Sequence, residues 1–194
     1  MKDYTKLLGL ARNSVITTKD LVTANIGKDY LKYAIQDNVI EKVAHGVYIP
    51  KHEYEDTLFI FQLRNSKLIF SCYTSAYLLG MTTRDTDVIY ASAPLNYNTS
   101  KLQNGNVILR ERELLYSLGL TEAKTMFGNN VRIHDTERTV CDFFNPKYVG
   151  DKFVQIEVLK NYLQSKEKNL TKLFDYAKTL GVLEELRKRV EVLL

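Results

Sequence analysis

The segment from residue 17 to residue 45 concentrates side chains that can contact the bases and phosphates of DNA. Glutamine can pair bidentately with adenine, lysine can reach guanine or a phosphate, and tyrosine can stack on sugars or bases. The candidates for base contacts are Lys28, Lys32, Tyr33 and Gln36. The candidates for phosphate contacts are Thr17, Thr18, Lys19, Lys42 and His45. These residue types predict that the segment binds duplex DNA.

The pattern between residues 17 and 37 predicts two helices that would position the candidates. Thr17 or Thr18 can cap the first helix, because a threonine hydroxyl accepts a bond from a free amide two or three residues on. Leu21, Val22 and Ala24 supply its apolar side. Gly27 permits a sharp turn, since it has no Cβ to clash.

The second predicted helix runs from Lys28 to Asp37. Leu31, Ala34 and Ile35 follow the i, i+3, i+4 spacing of one helical face. The opposite face then carries the polar candidates, together with Asp29. A helical face with several kinds of polar side chain can contact base edges and phosphates in a DNA groove.

After this helix the chain is typical of a β-hairpin. Two short runs rich in β-branched and aromatic residues, VIEKV and VYI, flank the turn Ala44-His45-Gly46. Lys42 and His45 would lie near the tip. Helix, turn, helix and hairpin in this order predict a winged helix-turn-helix.

The whole chain is predicted to be α+β, with a winged helix-turn-helix followed by a mixed α/β C-terminal domain that ends in a helical segment. The predicted domains are residues 1–75 and 76–194, with the boundary somewhere between residues 65 and 80. The predicted helices cover residues 3–12, 56–64, 71–80 and 136–144, with three amphipathic helices after residue 151. The predicted strands cover residues 87–93, 107–110 and 131–134.

A metal-dependent nuclease is an alternative function. Asp87 with Glu122 and Lys124 echoes the D…ExK order in which carboxylates hold a metal and lysine orients water. So short a match is common by chance, and the histidines show no metal-ligand spacing. We therefore predict no enzyme, no metal and no cofactor.

A second group that could do chemistry lies at the start of the helix over residues 136–144. Asp135, Glu137 and Arg138 could form a catalytic cluster. A capped helix start with a salt-bridging arginine is the more common meaning of such a group.

Composition predicts a globular cytoplasmic protein. The formal net charge of +4 permits contact with nucleic acid without requiring it. The two cysteines, Cys72 and Cys141, lack the spacing of a zinc site and are predicted to be buried thiols. The first residues do not resemble a signal peptide, and no run approaches the ~20 apolar residues of a membrane span.

The last third of the chain is rich in lysine and arginine on the polar sides of its predicted helices. These residues are Lys160, Lys166, Lys168, Lys172, Lys178, Arg187, Lys188 and Arg189. They form either an ordinary solvated surface or a second basic patch that holds bent DNA. The sequence does not decide between these two interpretations.

Two segments resemble the AbiEi antitoxins of bacterial abortive-infection systems. One is the N-terminal unit, with T-T-K-D-L before the turn and H-G-V-Y-I-P at the wing. The other is M-F-G-N-N-V-R-I-H-D-T-E-R-T-V-C-D, from Met126 to Asp142. The two segments occur in the order expected for this family, and the resemblance covers most of the chain.

The resemblance implies a type IV antitoxin that works in phage defence. Its N-terminal domain would repress its own operon by binding inverted repeats in the upstream DNA. Its C-terminal domain would counter a nucleotidyltransferase toxin, without requiring a stable complex. A protein-interaction module is a further alternative, because some winged helices bind proteins.

Overall fold

A computed structural model describes residues 3–11, 13–84, 87–102, 105–148 and 151–193. The side chain of Lys28 and all of Arg12 lie outside the described part. The chain divides into two compact units. Unit 1 comprises Met1–Ser66 with Lys124–Asn130, and unit 2 comprises Lys67–Ala123 with Val131–Leu194.

Unit 1 contains four helices and three strands in its described residues. They are α1 Thr5–Leu8, β1 Ile16–Thr17, α2 Thr18–Thr23, α3 Lys28–Gln36, β2 Ile40–Ala44, β3 Val47–Pro50 and α4 Thr57–Arg64. The strands form an antiparallel sheet in the order β1-β3-β2. Helix, turn, helix and hairpin therefore occur in the predicted order, with β1 as an additional strand.

The first helix is shorter than predicted. α1 ends at Leu8, and the predicted helix over residues 3–12 is wrong in its second half. Gly9 follows α1, and glycine is a poor helix former. Asn13 and Ser14 then take left-handed backbone angles, which a continuing helix excludes.

The core of unit 1 joins the helices to the sheet. Leu7 of α1, Leu21 of α2, Ala34 of α3 and Ile40 of β2 belong to one buried cluster. Ile60 of α4 packs in a second cluster. Val22 was predicted to be apolar core and is 74% exposed, so that prediction is wrong.

Residues 124–130 return to unit 1 from much later in the sequence. The buried Asp56 carboxylate accepts hydrogen bonds from Thr125 Oγ1 at 2.5 Å and from Asn129 Nδ2 at 2.8 Å. Asn129 Nδ2 also donates to the carbonyl oxygen of Asn13 at 3.2 Å. Asp56 caps α4 through Phe59 N, so this contact fixes the start of that helix.

Unit 2 is built on a five-stranded sheet in the order β6-β5-β4-β8-β7. The strands are β4 Ile69–Phe70, β5 Tyr90–Pro94, β6 Val107–Glu111, β7 Leu120–Lys124 and β8 Asn130–His134. The helices are α5 Cys72–Leu78, α6 Glu113–Tyr116, α7 Thr136–Asp142, α8 Lys152–Gln164, α9 Leu170–Leu180 and α10 Leu183–Leu193. β5 is parallel to β6 and antiparallel to β4. β4 is parallel to β8.

These elements confirm the α+β class and most of the predicted helices. Asp135 caps α7 by accepting a bond from Arg138 N at 2.9 Å, as predicted. The predicted strand over residues 87–93 is displaced, because β5 begins at Tyr90. In α4, Ile60 is buried, whereas Leu63 is 39% exposed.

Helices α5, α7, α8, α9 and α10 share one large apolar core. Cys72 and Cys141 lie in that core as buried free thiols. Burial raises the pKa of both thiols well above the ordinary value for cysteine. Within the described residues, no helix is long and apolar enough to cross a membrane.

Candidate nucleic-acid interface

Helix α3 presents a polar face to solvent. Lys32 and Gln36 are exposed, and Tyr33 is 44% exposed. Ala34 on the opposite side is fully buried, and Leu31 packs against the same core. The exposure of the three predicted base-contacting residues therefore agrees with the predicted faces. Lys28 begins α3, but its side chain lies outside the described residues.

Contacts at its two ends hold α3 in place. The ring of Tyr30 packs in a tilted arrangement against that of Tyr4, with 5.2 Å between the centroids. The Tyr4 hydroxyl donates a 2.6 Å hydrogen bond to Asp37 at the C-cap of α3. Desolvation and this bond raise the pKa of Tyr4 to about 12. The tyrosine therefore remains a donor at neutral pH. Ile35, predicted for the apolar face, is 36% exposed, so that prediction is wrong.

Helix α2 begins with a capping box. Thr17 Oγ1 accepts a bond from Asp20 N at 3.3 Å, and Thr17 N donates to Asp20 Oδ2 at 2.7 Å. The Thr17 hydroxyl also lies 2.6 Å from Asp20 Oδ2, to which it donates. Thr17 is therefore the cap that the sequence offered as one of two choices.

The start of α2 is bonded to the turn of the β2–β3 hairpin. Thr18 N and Thr18 Oγ1 both donate to the carbonyl oxygen of Gly46, at 2.8 Å and 3.0 Å. Gly46 has a φ of +71°, and a Cβ at that position would lie 2.4 Å from Thr18 Oγ1. Only glycine fits both the backbone angle and the close approach.

These bonds engage the two threonine hydroxyls within the protein, and their contacts with phosphates stay a prediction. A hydroxyl needs its proton to bond a phosphate oxygen. The Thr17 proton is directed to Asp20, and the Thr18 proton is directed to Gly46. Both residues therefore position α2 and the hairpin turn.

The other three residues predicted to contact phosphates have exposed side chains without a bonded partner among the described residues. Lys19, Lys42 and His45 are exposed, and none of their side chains has a hydrogen bond or ion pair to another described residue. Lys42 precedes a register shift in the β2–β3 pairing, between Lys42 and Ala44. An irregularity of this kind changes the local twist of a hairpin. Two lysines and a histidine, located on α2 and the hairpin, are thus available to bind anions.

The basic residues of the C-terminal helices are not equivalent. All are exposed except Lys172, which donates from Nζ to Asp135 Oδ2 and Glu137 Oε2, each at 3.0 Å. Desolvation opposes the charge, but these bonds raise the pKa of Lys172 above its ordinary value. Arg187 lies over the Phe174 ring, and Arg189 pairs weakly with Glu185. The charge of Lys172 is therefore already compensated within the protein.

The residues of the nuclease alternative are not brought together. Asp87 precedes β5, whereas Glu122 and Lys124 lie on β7 at the other edge of the sheet. β4 and β8 separate these two strands, and neighbouring strands lie about 4.8 Å apart. Among the described residues, no three His, Cys, Asp or Glu side chains are grouped as metal ligands.

The Asp135–Arg138 group belongs to the structure of α7. Arg138 is fully buried and donates from Nε to Asp142 at 2.8 Å and from one terminal nitrogen to both oxygens of Glu111 at 2.9 Å and 3.0 Å. His134 Nδ1 lies 3.1 Å from the same Asp142. Desolvation would raise the pKa of Asp142, but Arg138 and His134 outweigh it and lower that pKa. No sequence pattern indicates that Glu111 belongs to this network, because its partner Arg138 is 27 residues away.

No protein-family model matches this chain, and no curated protein matches it significantly.

Proposed function

We propose that unit 1 is a winged helix-turn-helix that binds duplex DNA, with α3 in the major groove and the β2–β3 hairpin as its wing. The observation that carries this proposal is the exposed face of α3 with Lys32, Tyr33 and Gln36. Such side chains at this position of a winged helix read base edges. Lys19, Lys42 and His45 supply the contacts to phosphates, which fix the protein on the duplex.

We further propose that the protein is an antitoxin and autorepressor that counters a nucleotidyltransferase toxin. The support is the resemblance of the N-terminal segment and of residues 126–142 to the AbiEi antitoxins. On this proposal, operator binding belongs to unit 1 and protection belongs to unit 2. The exposed lysines and arginines predicted for the basic patch between residues 160 and 189, without Lys172, are the candidates for an additional contact with bent operator DNA.

The DNA-binding proposal is tested with the DNA upstream of the protein's own gene. In a mobility shift, the full chain should bind a duplex that carries the inverted repeats more tightly than a duplex of the same composition in scrambled order. Specific proteins commonly discriminate by about 10³ or more at physiological salt. Equal affinity for both duplexes would overturn the repressor proposal.

The antitoxin proposal is tested in cells that express the adjacent toxin gene from a separate promoter. Wild-type protein should restore growth, and Lys32→Ala/Gln36→Ala protein should restore it equally while no longer repressing a reporter operon. Loss of protection together with loss of repression would contradict the division between the units.

A further inference from the structure

Unit 2 contains a cavity of about 510 Å³ beside the ends of β5 and β6. Leu95 directly follows β5, and Arg110, Glu111 and Arg112 lie where β6 ends. Because β5 and β6 are parallel, both strands direct their carboxyl ends to this cavity. Ligands of open α/β sheets bind at such ends, in cavities of about 300–1,000 Å³.

Three cationic residues line the cavity. Arg110, Arg112 and Lys147 are exposed, and none of their side chains has a hydrogen bond or ion pair to another described residue. Unpaired charges of one sign in a concave site attract counter-ions strongly. The free guanidinium groups are suited to phosphate oxygens, which they can bind bidentately.

The acidic residue in the lining does not cancel this charge. Both carboxylate oxygens of Glu111 accept bonds from the buried Arg138, at 2.9 Å and 3.0 Å. Glu111 is therefore held from inside the fold, and the three cations of the lining outnumber its single carboxylate. Asn145 adds a donor, because its Oδ1 accepts a bond from Lys147 N at 3.0 Å and its Nδ2 has no hydrogen bond to another described residue.

The rest of the lining is largely apolar. It consists of Leu95, Leu115, Pro146, Leu180, Gly181 and Val182. A bare anion needs no apolar wall, whereas a sugar and base gain from one. The cavity thus combines a cationic part with an apolar part.

We propose that this cavity binds a nucleoside triphosphate. Its phosphates lie on Arg110, Arg112 and Lys147, and its nucleoside lies against the leucine side chains. Three uncompensated cations match an oligophosphate better than a singly charged ion. All lining residues belong to unit 2, so the site is independent of the proposed DNA contacts of unit 1.

The test is calorimetric titration of the full chain with ATP, GTP, inorganic triphosphate and adenosine. A nucleoside triphosphate should bind more tightly than inorganic triphosphate, and adenosine should not bind measurably. The Arg110→Gln/Arg112→Gln variant should lose about tenfold or more in affinity, as expected for hydrogen bonds between charged groups. Lys147→Gln alone should lose less, and Leu95→Ala should weaken the nucleotide without weakening triphosphate.

The matched control is Lys101→Gln/Lys160→Gln, which removes two exposed cations of unit 2 outside the cavity. Its affinity for the nucleotide should stay within about twofold of wild type, because distant surface charges are largely screened by salt. Circular dichroism confirms that the exposed substitutions leave the fold intact.

Three results would overturn the proposal. They are no binding of ATP or GTP, an equal loss of affinity in the control variant, and binding of inorganic triphosphate as tight as that of the nucleotides. Displacement of bound nucleotide by a short duplex DNA would assign the cavity to nucleic acid instead. Unchanged operator binding by Arg110→Gln/Arg112→Gln separates this site from the DNA-binding proposal.

Discussion

The polar face of α3 and the polar network around α7 contain similar residue types, but they differ in solvent exposure and in hydrogen bonding. Lys32 and Gln36 on α3 are exposed and make no side-chain bond to another described residue. Arg138, Asp142 and His134 are buried and bonded to one another. A charged side chain that is already paired supports the fold, and one that is unpaired can bind a ligand. Pairing and burial, more than residue type, therefore separate the candidate interface from the scaffold.

The largest effect is expected where the buried network loses its cation. Arg138→Met removes the cation that pairs with Glu111 and Asp142 and leaves Asp142 with His134 alone. Breaking a buried ion pair in this way costs about 3–5 kcal/mol. Urea unfolding measures the change. Arg187→Met on α10 is the control and should cost less than about 1 kcal/mol, since it removes only an exposed cation–π contact. A loss that small for Arg138→Met would mean that the network does not stabilise unit 2.

Acid should weaken unit 2 through Asp142. Its pKa is lowered in the folded protein, so its contribution to stability is fully present above the unfolded value of about 3.9 and is lost as the pH falls through the lower folded value. Urea unfolding from pH 5 to pH 2 should therefore show a steeper decline for wild type than for Asp142→Asn. Parallel pH profiles for the two proteins would contradict the assigned shift.

A smaller effect is expected at the cap of α2. Thr17→Ala removes the hydroxyl of the capping box and should cost about 1 kcal/mol of unfolding free energy. Because the predicted contact of Thr17 is with a phosphate and not with a base, affinity should fall by a similar factor for operator and scrambled duplexes. Loss of affinity for the operator alone would show that Thr17 reads sequence.

The smallest effect distinguishes a free lysine from a paired one. Lys42→Ala should reduce the slope of log affinity against log salt by about one unit, because a phosphate contact is lost. Lys172→Ala should leave that slope unchanged, since its charge is held by Asp135 and Glu137. Equal slopes for Lys42→Ala and wild type would remove the hairpin from the interface.

Local signals predicted the parts of the fold that depend on neighbouring residues. The i, i+3, i+4 spacing located α3, and the threonine and aspartate caps located α2 and α7. The three C-terminal helices followed from their amphipathic patterns. In the candidate interface, local spacing also predicted that Lys32, Tyr33 and Gln36 are exposed and that Ala34 is buried, but it was wrong for Ile35.

Contacts between distant residues could not be predicted in this way. Thr18 and Gly46 are 28 residues apart, and Asp56 and Thr125 are 69 residues apart. Such pairs leave no periodic trace in the sequence, because they depend on how the elements pack. For the same reason the sequence could not show that Lys172 is paired, or that Arg110, Arg112 and Lys147 line one cavity.

The central claim is that the exposed face of α3 reads operator sequence. Fluorescence anisotropy should compare Lys32→Ala/Gln36→Ala with the control Lys101→Ala/Gln164→Ala, which changes an exposed lysine and glutamine of unit 2. The α3 variant should lose about 1–3 kcal/mol for each base contact on the inverted-repeat duplex and much less on a scrambled duplex. The control should bind both duplexes as wild type does. Operator affinity of the α3 variant equal to that of wild type would contradict the claim.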